Sequence, residues 1–315
     1  MAKFDNPALP HEKLLELMES RGLICPDRNR ILRHLKNVSY YRFSEYASNF
    51  YQNPKSENPI FRPNTSYEEI WQLYLFDRKL RLLTLDAIER IEVSARSILS
   101  DCMSLDDDSM PLGSLPYGPH WFMNEEFYHD KKYCPIFCSE IEKETGKNNP
   151  DRRIPSISRY YSQYDEPSLP PSWMVMEALS MGKWTLALSK LTGAAQKKVA
   201  SQYGLPSVLL ISWLGSLTWT RNVAAHQGRL WNRHVKRPPR VPKPVGLYCP
   251  DFSHNASTYY ATACVCFCLL KRIVTKSTWS ERLQELFTEF STVDKKQMGF
   301  SEGWERDSFW QEGSE

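Results

Sequence analysis

The chain has 315 residues, 41% of them hydrophobic, and is rich in rings, with 10 Trp, 16 Tyr and 14 Phe, so it has material for a real core in one or two domains. Its net charge of +3 is too small to point to a partner by itself. The opening "MAKFDNPALPHEKLLELMES" has no apolar run of signal-peptide type. The longest apolar stretch, "YYATACVCFCLL" at 259–270, is shorter than the roughly 18–20 residues that cross a bilayer. The expectation is a soluble, cytoplasmic protein with no membrane partner.

In chain order, residues 11–22 and 27–36 read as short helices. Tyr40, Phe43, Ala47 and Phe50 then recur at helical spacing, a stripe that belongs in a core more readily than against stacked bases. "RPNTSYEEI" starts a helix: Ser66 with Glu69, or Thr65 with Glu68, has capping-box spacing. A long helix follows to about residue 101, with Ile70, Leu73, Tyr74, Leu80, Ala87, Ile88, Ile91, Ala95 and Ile98 near one stripe. Asp77 falls on that stripe, and Arg81 stands at i,i+4 to pair with it. Glu89, Arg90, Glu92 and Arg96 crowd the later turns as a solvated or ion-paired face.

Residues 102–171 break the rhythm. "MSLDDDSMPLGSLPYGP" and "KETGKNNPDRRIPS" are rich in turn formers, with short helices in "HWFMNEEFY" and "PIFCSEIEKE" between them, so the region reads as an insertion or bent connector. "PPSWMVMEALSMGKWTLALSKL" restarts regular structure as one helix from a Ser172 N-cap to about Leu191, with Gly182 as its weak point. A short helix near 194–203 follows, and Pro206 opens the next long one. The four prolines of "HVKRPPRVPKPVG" end helical structure. A helical pair at about 254–275 and 277–291 precedes a tail expected to be mobile. No strand alternation is present, so the fold class is all-α. The expected organisation is an N-terminal helical region at 1–60, a helical core at 61–291 with the insertion at about 102–171, and a tail at 292–315.

The eight cysteines lack the CxxC pairs of a zinc site, and Cys264, Cys266 and Cys268 alternate inside an apolar segment as small hydrophobes. Cys134 and Cys138 with His129 are too few for a structural metal, so no metal or cofactor is expected.

Charge is unevenly spread. From Ala178 to Pro250, 73 residues, there is no Asp or Glu, where average composition would place about nine. The same window holds eleven Lys and Arg, seven of them between 221 and 243. A one-sign patch of this kind attracts polyanions, unless acids from elsewhere in the fold neutralise it.

Within that window, Leu210, Trp213, Leu214 and Leu217 form a helical stripe, and Arg221 lands within roughly 20° of it. A guanidinium on such a face needs an anion, either a protein carboxylate or a phosphate, and Glu177 is a candidate carboxylate. Asn222 and His226 are four apart and so neighbours on the flank, while Ala224 and Ala225 keep the surface low. Cation, amide and imidazole together suit RNA cleavage without metal. Histidine can take the ribose 2′-OH proton or protonate the leaving oxygen, and arginine forks onto phosphate oxygens. One helix supplies one histidine, so a two-fold dimer would bring a second. The plainer alternative is a polar helix end with Arg221 ion-paired and His226 exposed.

These residues and three other stretches resemble the abortive-infection (Abi) family of bacterial phage-defence proteins, of the AbiD and AbiF kind, and through it the HEPN-domain ribonucleases, whose signature is Arg, four to six residues, then His. "RNVAAH" at 221–226 matches the short form. "VSYYRFSEY" is similar to the family's N-terminal aromatic signature, "YLFDRKLRLLTLDAIERIEVSAR" to its long central helix, and "PPSWMVMEALSMGKW" to the helix before the motif. The resemblance implies a HEPN-like helical bundle, a homodimer, and growth arrest by RNA cleavage, in some relatives held in check by a partner such as a regulatory RNA or antitoxin. It implies Arg221 and His226 as catalytic with Asn222 in support. Glu177 is expected to back Arg221, and Arg229, Arg233, Lys236, Arg237 and Arg240 to track the RNA backbone. The competing expectations are a non-catalytic RNA-binding protein or scaffold using the same basic patch, and a purely structural helical partner.

Overall fold

A computed structural model describes residues 7–56, 58–105, 118–243 and 249–311. Most of the turn-rich stretch at 103–119, the last residues of the proline-rich stretch and the extreme ends lie outside them. The described residues form thirteen α-helices and no strand. The helices are α1 (His11–Ser20), α2 (Arg28–Val38), α3 (Tyr40–Ala47), α4 (Tyr67–Ser104), α5 (Tyr133–Glu144), α6 (Pro155–Gln163), α7 (Ser172–Ala178), α8 (Met181–Lys190), α9 (Gly193–Ser201), α10 (Ser207–Ala225), α11 (Tyr259–Ile273), α12 (Trp279–Glu289) and α13 (Ser308–Gln311). The fold is all-α, as the lack of strand alternation predicts. The chain divides into two compact units: Met1–Arg81 with Glu285–Asp294, and Leu82–Gln284 with Lys295–Glu315.

In the first unit the start of α4 is fixed by a capping box. Ser66 N–H donates to Glu69 Oε2 at 2.7 Å, and Glu69 N–H donates back to Ser66 Oγ at 3.3 Å. Thr65, the alternative cap, instead gives its hydroxyl to the Arg62 carbonyl. Of the aromatic stripe expected here, Phe43 and Ala47 are buried while Tyr40 and Phe50 are half-buried; Tyr46, off that stripe, is buried too, and the Phe43 and Tyr46 rings meet Tyr67 and Tyr74 of α4 at 4.8 and 5.6 Å. Asp77 and Arg81 are both buried and ion-paired, and Tyr46 donates its hydroxyl to Asp77 Oδ2 at 2.7 Å while accepting from Arg81 Nη1 at 3.0 Å.

In the second unit the core centres on α11, where every residue from Ala261 to Leu270 is buried, the three alternating cysteines among them. A helix apolar all round is an interior helix. Helices α8, α9 and α11 pack on α10. No helix among the described residues is long and apolar enough to cross a membrane.

Three expectations need correction here. The helix expected from Ser172 to Leu191 is broken into α7 and α8 at Leu179 and Ser180, both extended (ψ 139 and 154), and not at Gly182. Ser172 is not the cap: Pro171 takes that place, and the buried Ser172 Oγ bonds the hydroxyls of Ser100 and Ser104 at 2.7 and 2.8 Å. The tail is anchored, since Trp304, Phe309 and Trp310 are buried and the Trp310 ring stacks on Phe267 at 5.6 Å. Three large rings in seven residues carry more apolar area than their polar neighbours suggest.

Each unit holds one histidine whose pKa is lowered by burial. His34 stacks on Trp71 with ring centroids 3.7 Å apart, and burial, then the Arg30 charge, holds it below the ordinary histidine value. Burial does the same to His120, whose Nε2 has no hydrogen-bond partner among the described residues, although a bond with the Leu169 backbone works against the shift. Both folded-state values are depressed, so the unfolded chain binds more protons below about pH 6.5. Their stability contribution is full above that pH and is lost as pH falls through the folded values. Thermal unfolding is expected to occur at lower temperature at pH 5 than at pH 7.5, with the dependence weakened in a His34→Gln/His120→Gln protein. An unchanged slope in that protein contradicts the assignment.

Candidate functional site

The geometry of this site is set by α10. Its stripe of Leu210, Trp213, Leu214 and Leu217 is buried as predicted, and Thr220 and Ala224 continue the buried face. The helix ends at His226, the C-cap. There Gly228 N–H donates to the Val223 carbonyl at 2.8 Å and Gln227 N–H to the Ala224 carbonyl at 3.0 Å, with Gln227 left-handed at φ 53. This Schellman closure ends the helix and leaves its last turn open to solvent. Asn222 and His226 are exposed there. Among the described residues no hydrogen bond reaches the His226 ring; only its backbone N–H is used, by the Asn222 carbonyl at 3.0 Å.

Arg221 is 41% exposed and lies at the edge of the buried face. Its Nε is 4.0 Å from Glu92 Oε2, and its Nη1 is 3.5 Å from Asn222 Oδ1. Glu92 is only 10% exposed, and its other oxygen is held tightly by Arg96 one turn along α4. The helix break after α7 matters here. It frees the Leu179 carbonyl, which accepts from Arg96 Nη2 at 2.9 Å. Glu177, the carboxylate expected beside Arg221, pairs instead with Arg96 Nη1 at 3.8 Å and is 63% exposed. The sequence therefore supplied the wrong neighbour. The partner is Glu92, which stands at i+4 from the buried Ile88 and so near the same stripe that flagged Asp77. That position was the available signal.

Glu92 thus lies between two guanidiniums and is tightly bound to only one. The carboxylate orients Arg221 through its Nε edge without saturating it. The Nη groups, with Asn222 beside them, are left for an anion, the forked geometry that suits a phosphate.

The basic segment after α10 folds back along that helix. Leu230, Trp231 and Val235 are buried, and Val235 N–H donates to the Ser257 carbonyl at 2.8 Å. Trp213 Nε1 donates to the Arg240 carbonyl and Arg240 N–H to Ser212 Oγ, both at 2.9 Å. The Arg237 guanidinium lies over Gly215, its central carbon 3.0 Å from where a Cβ on that glycine would stand. Arg229 lies 5.9 Å over the Trp231 ring. Lys236, Arg237 and Arg240 are exposed and Arg233 is half-buried; among the described residues no carboxylate pairs with these four. Acids from outside the acid-free window do neutralise part of it, as Glu140 and Glu144 hold Lys183.

Cys134 and Cys138 both direct their thiols at the Phe122 carbonyl, at 3.5 and 3.7 Å, and burial pushes the Cys138 thiol up to about 12. Thiols held protonated in this way are poor metal ligands. His129 is engaged with the Leu191 carbonyl at 3.3 Å.

The sequence model of a family described as Abi-like protein matches residues 33–232. Neither the curated proteins nor the solved structures contain a match to the chain. The matched span is more than half of the sequence and includes Glu92, Arg96, Glu177, Arg221, Asn222 and His226. The chain belongs to the Abi-like protein family, and this membership supports a role in phage defence by abortive infection.

Proposed function

We propose that the protein is a metal-independent endoribonuclease of the HEPN type, related to AbiD and AbiF, that arrests growth by cutting RNA in the cytoplasm. The observation that carries this reading is the end of α10: an exposed imidazole with no competing hydrogen bond, on the same last turns as a guanidinium oriented but not saturated by Glu92. His226 acts as general acid or base. The 2′-oxygen of one nucleotide attacks the adjacent phosphorus, the bond to the 5′-oxygen breaks, and a 2′,3′-cyclic phosphate and a 5′-hydroxyl result. Arg221 binds the non-bridging oxygens as their charge builds, and Asn222 orients the phosphate or the imidazole. Transfer needs one group to take a proton and another to give one, so a homodimer that pairs two α10 ends would supply both. Arg229, Arg233, Lys236, Arg237 and Arg240 hold the RNA backbone. A regulatory RNA or an antitoxin would act by covering this end of α10.

The test is purified protein with RNA in EDTA. Cleavage by the wild type and none by His226→Ala is expected. Equal cleavage by both removes the assignment, and salt-sensitive binding without any cleaved ends favours a non-catalytic RNA-binding protein.

The Glu92–Arg96 bond makes a prediction of its own. In an Arg96→Met protein the carboxylate has Arg221 as its remaining guanidinium and closes on it, in competition with phosphate. A fall in kcat/KM of about tenfold is expected, with partial recovery in Arg96→Lys. Unchanged kinetics in a folded Arg96→Met protein would show that Glu92 does not set the state of Arg221.

A further inference from the structure

Eight of the ten tryptophans are buried, and the two that are not, Trp173 and Trp219, lie on α7 and α10, the helices that carry Glu177 and Arg221. Trp219 is half-exposed, and among the described residues its indole makes no hydrogen bond and no ring contact. At 100° per residue, Gly215, Trp219, Asn222 and His226 fall within a sector of about 60° on one face of α10. Trp219 stands about 6 Å along the axis from Gly215 and about 4.5 Å from Asn222. Gly215 is the residue over which the Arg237 guanidinium lies, in a segment that the Arg240 backbone ties to Ser212 and Trp213 on the neighbouring turn. One helix face thus carries, in order, a guanidinium, an unoccupied indole, an amide and an imidazole, inside a stretch of chain without a single acid.

A flat apolar ring between two phosphate-binding points matches a nucleic-acid strand whose base is free to leave its partner. Aromatic side chains bind single strands by stacking bases, and cationic side chains alongside them track the phosphates. In a duplex the base is already stacked and paired, so the same indole gains nothing. We propose that Trp219 and Arg237 form a subsite beside the cut, in which the indole stacks an unpaired base and the guanidinium holds a neighbouring phosphate. This subsite restricts the enzyme to single-stranded RNA. The inference rests on the ribonuclease reading for the position of the cut, but binding alone tests it.

The experiment measures binding of a labelled RNA oligonucleotide to the non-cleaving His226→Ala protein, as single strand and as duplex, at matched salt. Single strand is expected to bind about tenfold more tightly than duplex. Adding Trp219→Ala should weaken the single strand by about tenfold and leave the duplex unchanged, while Trp219→Phe retains most of the affinity. An RNA with an abasic site at the stacked position should lose the same factor against His226→Ala, and lose nothing further once Trp219 is also alanine. Arg237→Ala should weaken binding and lower its salt dependence by about one ion. Equal affinity for single strand and duplex overturns the proposal. So does a Trp219→Ala effect that appears in the concentration dependence of self-association and not in RNA binding, which would make the indole a contact between copies of the chain. Whether the wild-type protein cuts RNA is scored separately, so failure of the ribonuclease reading is distinguishable from failure of the subsite.

Discussion

Replacing His226 by alanine is expected to lower RNA cleavage in EDTA by about 10²–10⁴-fold, the usual worth of a positioned acid or base. Stability should change by no more than about 0.5 kcal/mol, because the ring is exposed and no hydrogen bond among the described residues depends on it. That separation makes the substitution informative: activity and fold respond to different parts of the residue. Arg221→Ala is expected to be as damaging, and here too the fold should hold, since Glu92 keeps its tight bond to Arg96. Arg221→Lys retains the charge but loses the fork and is expected to rescue little. Toxicity on expression should follow cleavage across these variants. Single-turnover cleavage of one defined RNA, beside thermal unfolding of each variant, checks all of this. A His226→Ala protein that folds and cuts at the wild-type rate contradicts it.

The second large effect is on stability. An Arg81→Met protein is expected to be less stable than wild type by about 3–5 kcal/mol, because it leaves the Asp77 carboxylate buried without the guanidinium that balances its charge. The Tyr46 phenol is far from ionising, since burial and then the Asp77 charge push it well up. It remains a donor. Removing both charges, as in Asp77→Leu/Arg81→Met, should recover most of the loss, because a buried ion pair exchanged for apolar residues of similar size is often close to neutral. Urea unfolding of the two proteins measures the difference. Equal destabilisation by the single and the double substitution would mean that the packing of Arg81, and not its charge, is what matters.

Much of this architecture was legible in the residues themselves, and the exceptions have physical reasons. The capping box at Ser66 and Glu69, the all-α class, the apolar stripe of α10 and the interior helix at 259–273 are local signals that need only spacing. Asp77 with Arg81 was readable for the same reason, a charge on a buried stripe with a partner one turn away. The break between α7 and α8 was not, because neither Leu179 nor Ser180 is a strong helix breaker; Gly182, which is, sits inside α8. The pairing of Arg221 with Glu92 joins residues far apart in sequence and on different helices, which spacing alone does not bring together, and Glu177 pairs with Arg96 instead. The docking of Arg237 on Gly215 escaped for a related reason: the glycine marks a close approach, and nothing local says by what.

The ends of the cut RNA test the central claim most directly. Attack by the neighbouring 2′-hydroxyl, with His226 moving the proton and Arg221 on the phosphate, must leave a 2′,3′-cyclic phosphate and a 5′-hydroxyl. Mass spectrometry of fragments made by wild-type protein in EDTA is predicted to find that pair of ends, and to find neither with His226→Ala. Fragments ending in a 3′-hydroxyl and a 5′-phosphate, or cleavage that needs a divalent cation, would contradict the account.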